Sequence, residues 1–120
     1  MSLTTVSSAD FDGAVLRSKE PVVLDFWGPR CAPCIRLEPF VEELEREFHG
    51  RVKIAKVITP ENRRLCVELR VMSLPTFLAF RDGREVDRLI GEVTSHQVRA
   101  MVELLSTDSD DGTPVDSDGT

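Results

Sequence analysis

At 120 residues, 41% hydrophobic and 30% charged, the chain has the size and balance of one soluble globular domain with a single core. It lacks the run of about 18 apolar residues that a membrane helix needs, and its scattered arginines form no basic stripe, so neither a membrane nor nucleic acid is the expected partner. The net charge of −6 is uneven: residues 106–120 hold five aspartates (Asp108, Asp110, Asp111, Asp116, Asp118) and no Lys or Arg, which leaves the rest of the chain close to neutral.

The first residues, Met1-Ser2-Leu3-Thr4-Thr5, carry neither a basic leader nor an apolar stretch, and three cysteines are too few and too odd in number for a disulfide framework. Both observations point to a cytoplasmic protein. Residues 3–6 read as a short strand. Ser7, with Asp10 three residues on, caps a short helix whose apolar side is Phe11, Ala14, Val15 and Leu16. Residues 22–27 are apolar throughout except for Asp25, the pattern of a central strand covered on both faces.

Cys31 and Cys34 follow at once, and then Leu37, Val41, Leu44 and Phe48 continue a stripe of helical spacing. That helix is expected to reach His49, to close at Gly50 and to bend near Ile35, because Pro39 removes a hydrogen bond. Residues 52–57 form the next strand, parallel to the previous one because a helix joins them. A helix over 60–69 carries Leu65, Cys66 and Leu69. A strand over 76–80, the turn Arg81-Asp82-Gly83-Arg84 and a strand over 85–90 make a hairpin, with Gly91 at its end. Thr94 and Gln97 form a capping box for a last helix through Val98, Met101, Val102 and Leu105. The folded domain is thus residues 1–105, and the acidic stretch 106–120 is expected to be disordered.

Two cysteines with two residues between them, where a strand turns into a helix, point to thiol–disulfide chemistry. A sulfur at a helix N-terminus sits beside unpaired N–H groups and the positive end of the macrodipole, which favours thiolate. Cys31 holds that position and is the expected nucleophile, with the charge of Arg30 beside it. Cys34, one turn in, is the expected resolving thiol, and Pro33 limits backbone freedom between the two. Asp25, desolvated in its strand, is the expected proton acceptor for Cys34, with Lys56 on the adjacent strand as its partner. The residues alone leave the Leu74–Pro75 bond open between trans and cis.

Trp27, Cys31-Ala32-Pro33-Cys34, Asp25, Lys56 and Leu74-Pro75-Thr76 together resemble the thioredoxin family, and the resemblance spans residues 3–105. Pro39 is similar to that family's helix proline, and Gly91 to its late glycine. The resemblance implies an α/β thioredoxin fold, a central mixed β-sheet flanked by helices on both faces. It also implies a cis bond at Pro75, a buried Asp25 near Lys56, and a groove of Trp27, Leu74, Pro75, Thr76 and Gly91 where a disulfide-containing protein docks. The implied electron donor is a thioredoxin reductase, with no cofactor beyond the cysteine pair and a monomeric state. Arg30 and Ala32 depart from the family's usual Trp and Gly, which bears on partner choice.

Other uses of the pair are weaker. A zinc site needs a second pair of ligands, and Cys66, His49 and His96 do not stand at ligand spacing. Cys66 reads as a small apolar residue, His49 as a cation at a helix C-terminus and His96 as solvated. An oxidase or isomerase, or a binding module that needs no thiols, are the alternative functions.

Overall fold

The computed structural model describes residues 3–107. Five strands, β1 (Thr4–Thr5), β2 (Val22–Trp27), β3 (Lys53–Ile58), β4 (Thr76–Arg81) and β5 (Arg84–Ile90), form one sheet in the order β1-β3-β2-β4-β5. β1 and β2 both run parallel to β3, whereas β4 is antiparallel to β2 and β5 to β4. The helices are α1 (Ala32–Glu47), α2 (Arg63–Glu68) and α3 (Ser95–Thr107). This is the mixed sheet with helices on both faces.

β2 lies at the centre, and its side chains alternate between two cores. Val23 packs with Leu37, Val41 and Leu44 of α1 and with Val98, Met101 and Val102 of α3. Leu24 and Phe26 pack on the opposite face with Val15, Leu65 and Phe80. Two elements of that second face differ from their expected form. Ser7 and Asp10 do bond reciprocally, but they close a turn; the helical segment that follows is a single π-helical stretch, Asp12–Leu16, which buries Val15 and leaves Leu16 at the surface. The helix expected over 60–69 is broken into a 3-10 turn, Thr59–Glu61, and α2. The break is Asn62, whose buried amide accepts from the Ser8 N–H at 2.9 Å and donates to the Ile58 carbonyl at 3.0 Å. A side chain that bonds backbone in this way competes with helix continuation.

α1 passes through Pro39 and ends at Glu47, two residues short of His49, with Gly50 at φ +91° in the turn that follows. The Thr94 and Gln97 capping box forms as expected, with reciprocal bonds of 2.9 and 3.2 Å. α3 extends through Ser106 and Thr107; the acidic stretch beyond lies outside the described residues. Across the α1–α3 surface, Arg99 clasps both carboxylate oxygens of Glu47, at 2.9 and 3.2 Å.

Asp82 and Gly83 both have positive φ, +54° and +78°, which is the two-residue hairpin geometry that suits twisted strands. Gly83 is constrained twice, because a Cβ there would lie 2.9 Å from the Leu16 carbonyl oxygen. Gly50 has the positive φ alone, with nothing within 4 Å of a Cβ. Gly50→Ala is therefore expected to lower stability by about 1–2 kcal/mol, and Gly83→Ala by clearly more, because the β4–β5 turn must also move off Leu16. Denaturant unfolding of the two variants checks the order; equal losses would mean that the contact with Leu16 carries no weight.

Candidate active site

β2 ends at Trp27, and the chain reverses within four residues to start α1. Cys31 is the N-cap of α1: its φ and ψ are extended, its N–H donates to the Gly28 carbonyl at 3.1 Å, and its carbonyl accepts from the Ile35 N–H. The Cys31 Sγ also receives the Cys34 N–H at 3.2 Å. Pro33 falls in the first turn, where its missing N–H costs the helix nothing. Cys31 and Cys34 are joined as a disulfide, with Cα atoms 5.3 Å apart. The pair is asymmetric. Cys31 is half-buried at the rim, whereas Cys34 is only 1% exposed and its sulfur lies 3.9 Å from the Phe26 carbonyl oxygen.

The wall opposite α1 comes from a distant part of the chain. The Leu74–Pro75 bond is cis, as the resemblance implies, and the Thr76 hydroxyl donates to the Ser73 carbonyl at 2.7 Å to close the loop. A Cβ on Gly28 would stand 3.1 Å from Leu74 Cδ1, so the turn that leads to Cys31 and the loop that leads to Pro75 are already in contact. Thr76 pairs with Phe26 on one side and with Ile90 on the other, which brings Gly91 to the same end of the sheet. Trp27, Leu74, Pro75, Thr76 and Gly91 thus gather with the cysteines at the carboxyl ends of β2 and β3, where open α/β sheets place their sites. Trp27 and Leu74 are half-buried and Gly91 is exposed.

Asp25 lies beneath. It shares the face of Val23, so it points toward α1, and it is 1% exposed. Its register partner on β3 is Lys56, on the same face. Neither carboxylate oxygen of Asp25 has a hydrogen-bond partner among the described residues. The expected ion pair with Lys56 does not form. The Lys56 ammonium instead donates to Glu38 of α1 at 2.5 Å and stands 4.5 Å from the centre of the Trp27 ring. Burial pushes the Asp25 carboxyl up to about 7; the negative charge of Glu38 adds to that rise, and Lys56 opposes it.

Glu38 is the residue of this site that the sequence reading did not single out. The available signal was its spacing: four residues after Cys34, it sits one turn along the same helical face. Arg30 is exposed and makes no ion pair among the described residues. Cys66 is free and buried in the second core beside Leu65, and burial pushes its thiol up. His49 faces Glu45 at 3.0 Å, and His96 is exposed in the first turn of α3. Among the described residues no group of three or more His, Cys, Asp or Glu is placed to hold a metal, and no helix is long and apolar enough to cross a membrane.

The thioredoxin family model matches residues 2–104. Thioredoxin of Synechocystis sp. is 37% identical over 98 residues, 82% of this chain and 92% of that protein. Thioredoxin 1 of Nostoc sp. is 38% identical over the same proportions, and thioredoxin of Haemophilus influenzae is 37% identical over 97 residues, 81% of this chain and 91% of its own. With a mixed five-stranded sheet, a cis Pro75 and a Cys31–Cys34 disulfide at the start of α1, this chain belongs to the thioredoxin family and is a dithiol–disulfide oxidoreductase.

Proposed function

We propose that the chain works as a reductant of disulfides in other proteins, with Cys31 as nucleophile, Cys34 as resolving thiol and Asp25 as proton acceptor for Cys34. The observation that carries this assignment is the asymmetry of the pair, a half-buried Cys31 at the cap of α1 and a buried Cys34 behind it. In the dithiol form, the Cys31 sulfur faces the unpaired N–H groups of the first turn, which favour its thiolate. That thiolate attacks one sulfur of the substrate disulfide. A Cys31–substrate bond forms, and the other substrate sulfur leaves and takes a proton from water. Cys34 then gives its proton to Asp25 and attacks the Cys31 sulfur, so the Cys31–substrate bond breaks, the second substrate sulfur leaves as thiolate and takes a proton from water, and Cys31–Cys34 is oxidised. Two electrons have passed from the pair to the substrate.

Trp27, Leu74, Pro75, Thr76 and Gly91 form the surface against which a substrate protein docks, and Arg30 at its edge biases the choice of partner by charge. Pro33 and Lys56 support the geometry of the pair and of Asp25. A thioredoxin reductase returns the pair to the dithiol, and the protein acts as a monomer. The free Cys66 suits a reducing compartment, the cytoplasm.

A protein carrying Cys34→Ser is expected to accumulate mixed disulfides at Cys31 when mixed with disulfide-containing proteins, and Cys31→Ser is expected to trap none. In an insulin-turbidity assay with dithiothreitol, the unaltered protein should exceed the Cys31→Ser variant by orders of magnitude; parity would reject the reductase reading. Asp25→Asn should slow resolution of the mixed disulfide much more than it slows attack by Cys31, which stopped-flow kinetics can separate.

The buried acid also makes stability depend on pH. The folded state keeps the Asp25 proton up to about 7, whereas a solvated aspartate in the unfolded chain releases it at 3.8. The stabilising contribution is therefore complete below the unfolded value and is lost as pH rises through the folded one. At about 1.4 kcal/mol per unit, the loss by pH 8 is about 4 kcal/mol. Asp25→Asn has no such loss. Denaturation of the oxidised proteins should show near-equal stability at pH 4 and a more stable variant at pH 8; a constant difference would place the carboxyl outside this range.

A further inference from the structure

We propose that Glu38 is a positioning residue for the exchange reaction: it holds the Lys56 ammonium on its own carboxylate and thereby keeps it from pairing directly with Asp25. The proposal rests on the reading of Asp25 as the proton carrier for Cys34. The register of β2 on β3 sets Asp25 directly opposite Lys56, and both side chains face α1. An ammonium in that place has a buried carboxylate within its own sheet, and a buried carboxyl with no hydrogen bond is costly to ionise. Lys56 nevertheless turns to Glu38, in an ion pair whose side chains are only 10% and 19% exposed, and rests over the Trp27 ring. Both oxygens of Asp25 stay without a hydrogen-bond partner among the described residues.

The groups that face Asp25 can be named element by element. β3 contributes Lys56 and α1 contributes Glu38. β4 contributes Phe77 as register partner, and the α3 residues in this core are apolar. Glu38 acts on Asp25 twice and in one direction, by its own negative charge and by taking the nearest positive one. The result suits a group that must exchange a proton with Cys34 in both directions. It gives the proton when a donor opens the disulfide and Cys34 leaves as thiolate, and takes it back when Cys34 attacks the mixed disulfide. With Lys56 free to pair with Asp25, the carboxyl would be ionised at neutral pH, with no proton to give and less affinity for one.

The test is the titration of the Asp25 carboxyl, followed by carbon-13 NMR in the full-length oxidised protein. Glu38→Ala is expected to lower its midpoint by about one pH unit, and Lys56→Met to raise it. In the Lys56→Met background, Glu38→Ala should lower the midpoint by less, because no ammonium remains to be released. Glu38→Gln, which keeps the outline of the helix surface, should act in the same direction as Glu38→Ala. An unchanged or raised midpoint in both Glu38 variants overturns the proposal. A shift of the same size with and without Lys56 also overturns it, because Glu38 would then act by its own charge and position nothing. The pH profile of mixed-disulfide resolution separates this from the role of Asp25. If the rate in the unaltered protein ignores the Asp25 midpoint, the proton-carrier reading fails, while the titration still decides the influence of Glu38.

Discussion

The structure depends on a carboxyl group held where water cannot reach it. Asp25 occupies the middle of β2, between two strands in the sheet and between two cores across it, and the register of β2 admits no relief. A slip by one residue would bring Asp25 to the other face, but would also reverse Val23, Leu24 and Phe26 at once. Val22, Val23, Leu24 and Phe26 are each almost fully buried, and burial of such a side chain contributes about 1.5–3 kcal/mol. Together they outweigh the roughly 4 kcal/mol that the ionised acid costs above neutrality. The strand therefore fixes the acid, and the surroundings decide its proton.

Two electrostatic arrangements of opposite sense occur on the one segment that runs from β2 into α1. At the rim, the start of α1 presents the Cys34 N–H to the Cys31 sulfur and favours negative charge. Below, low dielectric and the nearby Glu38 disfavour negative charge on Asp25. Cys34 is buried, with its sulfur 3.9 Å from the Phe26 carbonyl oxygen. Environments that push two ionisable groups apart are a common basis for dividing acid and base roles. Here the two environments follow from a single strand-to-helix reversal, because Asp25 and Cys31 are only six positions apart in the chain.

Much of this was legible in the sequence, and the legible parts share a cause. The period of apolar residues in 22–27 and 34–48 and the Asp82-Gly83 turn depend on neighbours within a few positions, and each element formed where its pattern lies. What local pattern could not supply were choices made between distant segments. Asn62 breaks a helix because Ser8, far away in sequence, offers it a donor. Lys56 turns away from its register partner because α1 brings Glu38 to it. The cis form at Pro75 became an expectation only through the family resemblance, since the residues around the bond left it open.

The rigidity of the site follows from one of those long-range choices. The loop that carries Leu74 leaves α2 through Arg70, which adopts φ +59°, while the Val71 N–H returns to the Cys66 carbonyl at 2.8 Å. A non-glycine residue in that left-handed conformation costs about 1–2 kcal/mol. It is held there from β5, where the Arg88 guanidinium donates to the carbonyls of Leu69 and Arg70 at 2.7 and 2.9 Å and is itself fixed by Glu85. Bonds from a charged donor are among the stronger ones, so this clasp offsets the strain. Leu74 is then delivered against Gly28, and the loop beside Pro75 is anchored to the turn beside Cys31. The cysteine pair and the wall beside Pro75 thus share a mount, although no residue of the wall other than Trp27 is close to Cys31 in sequence.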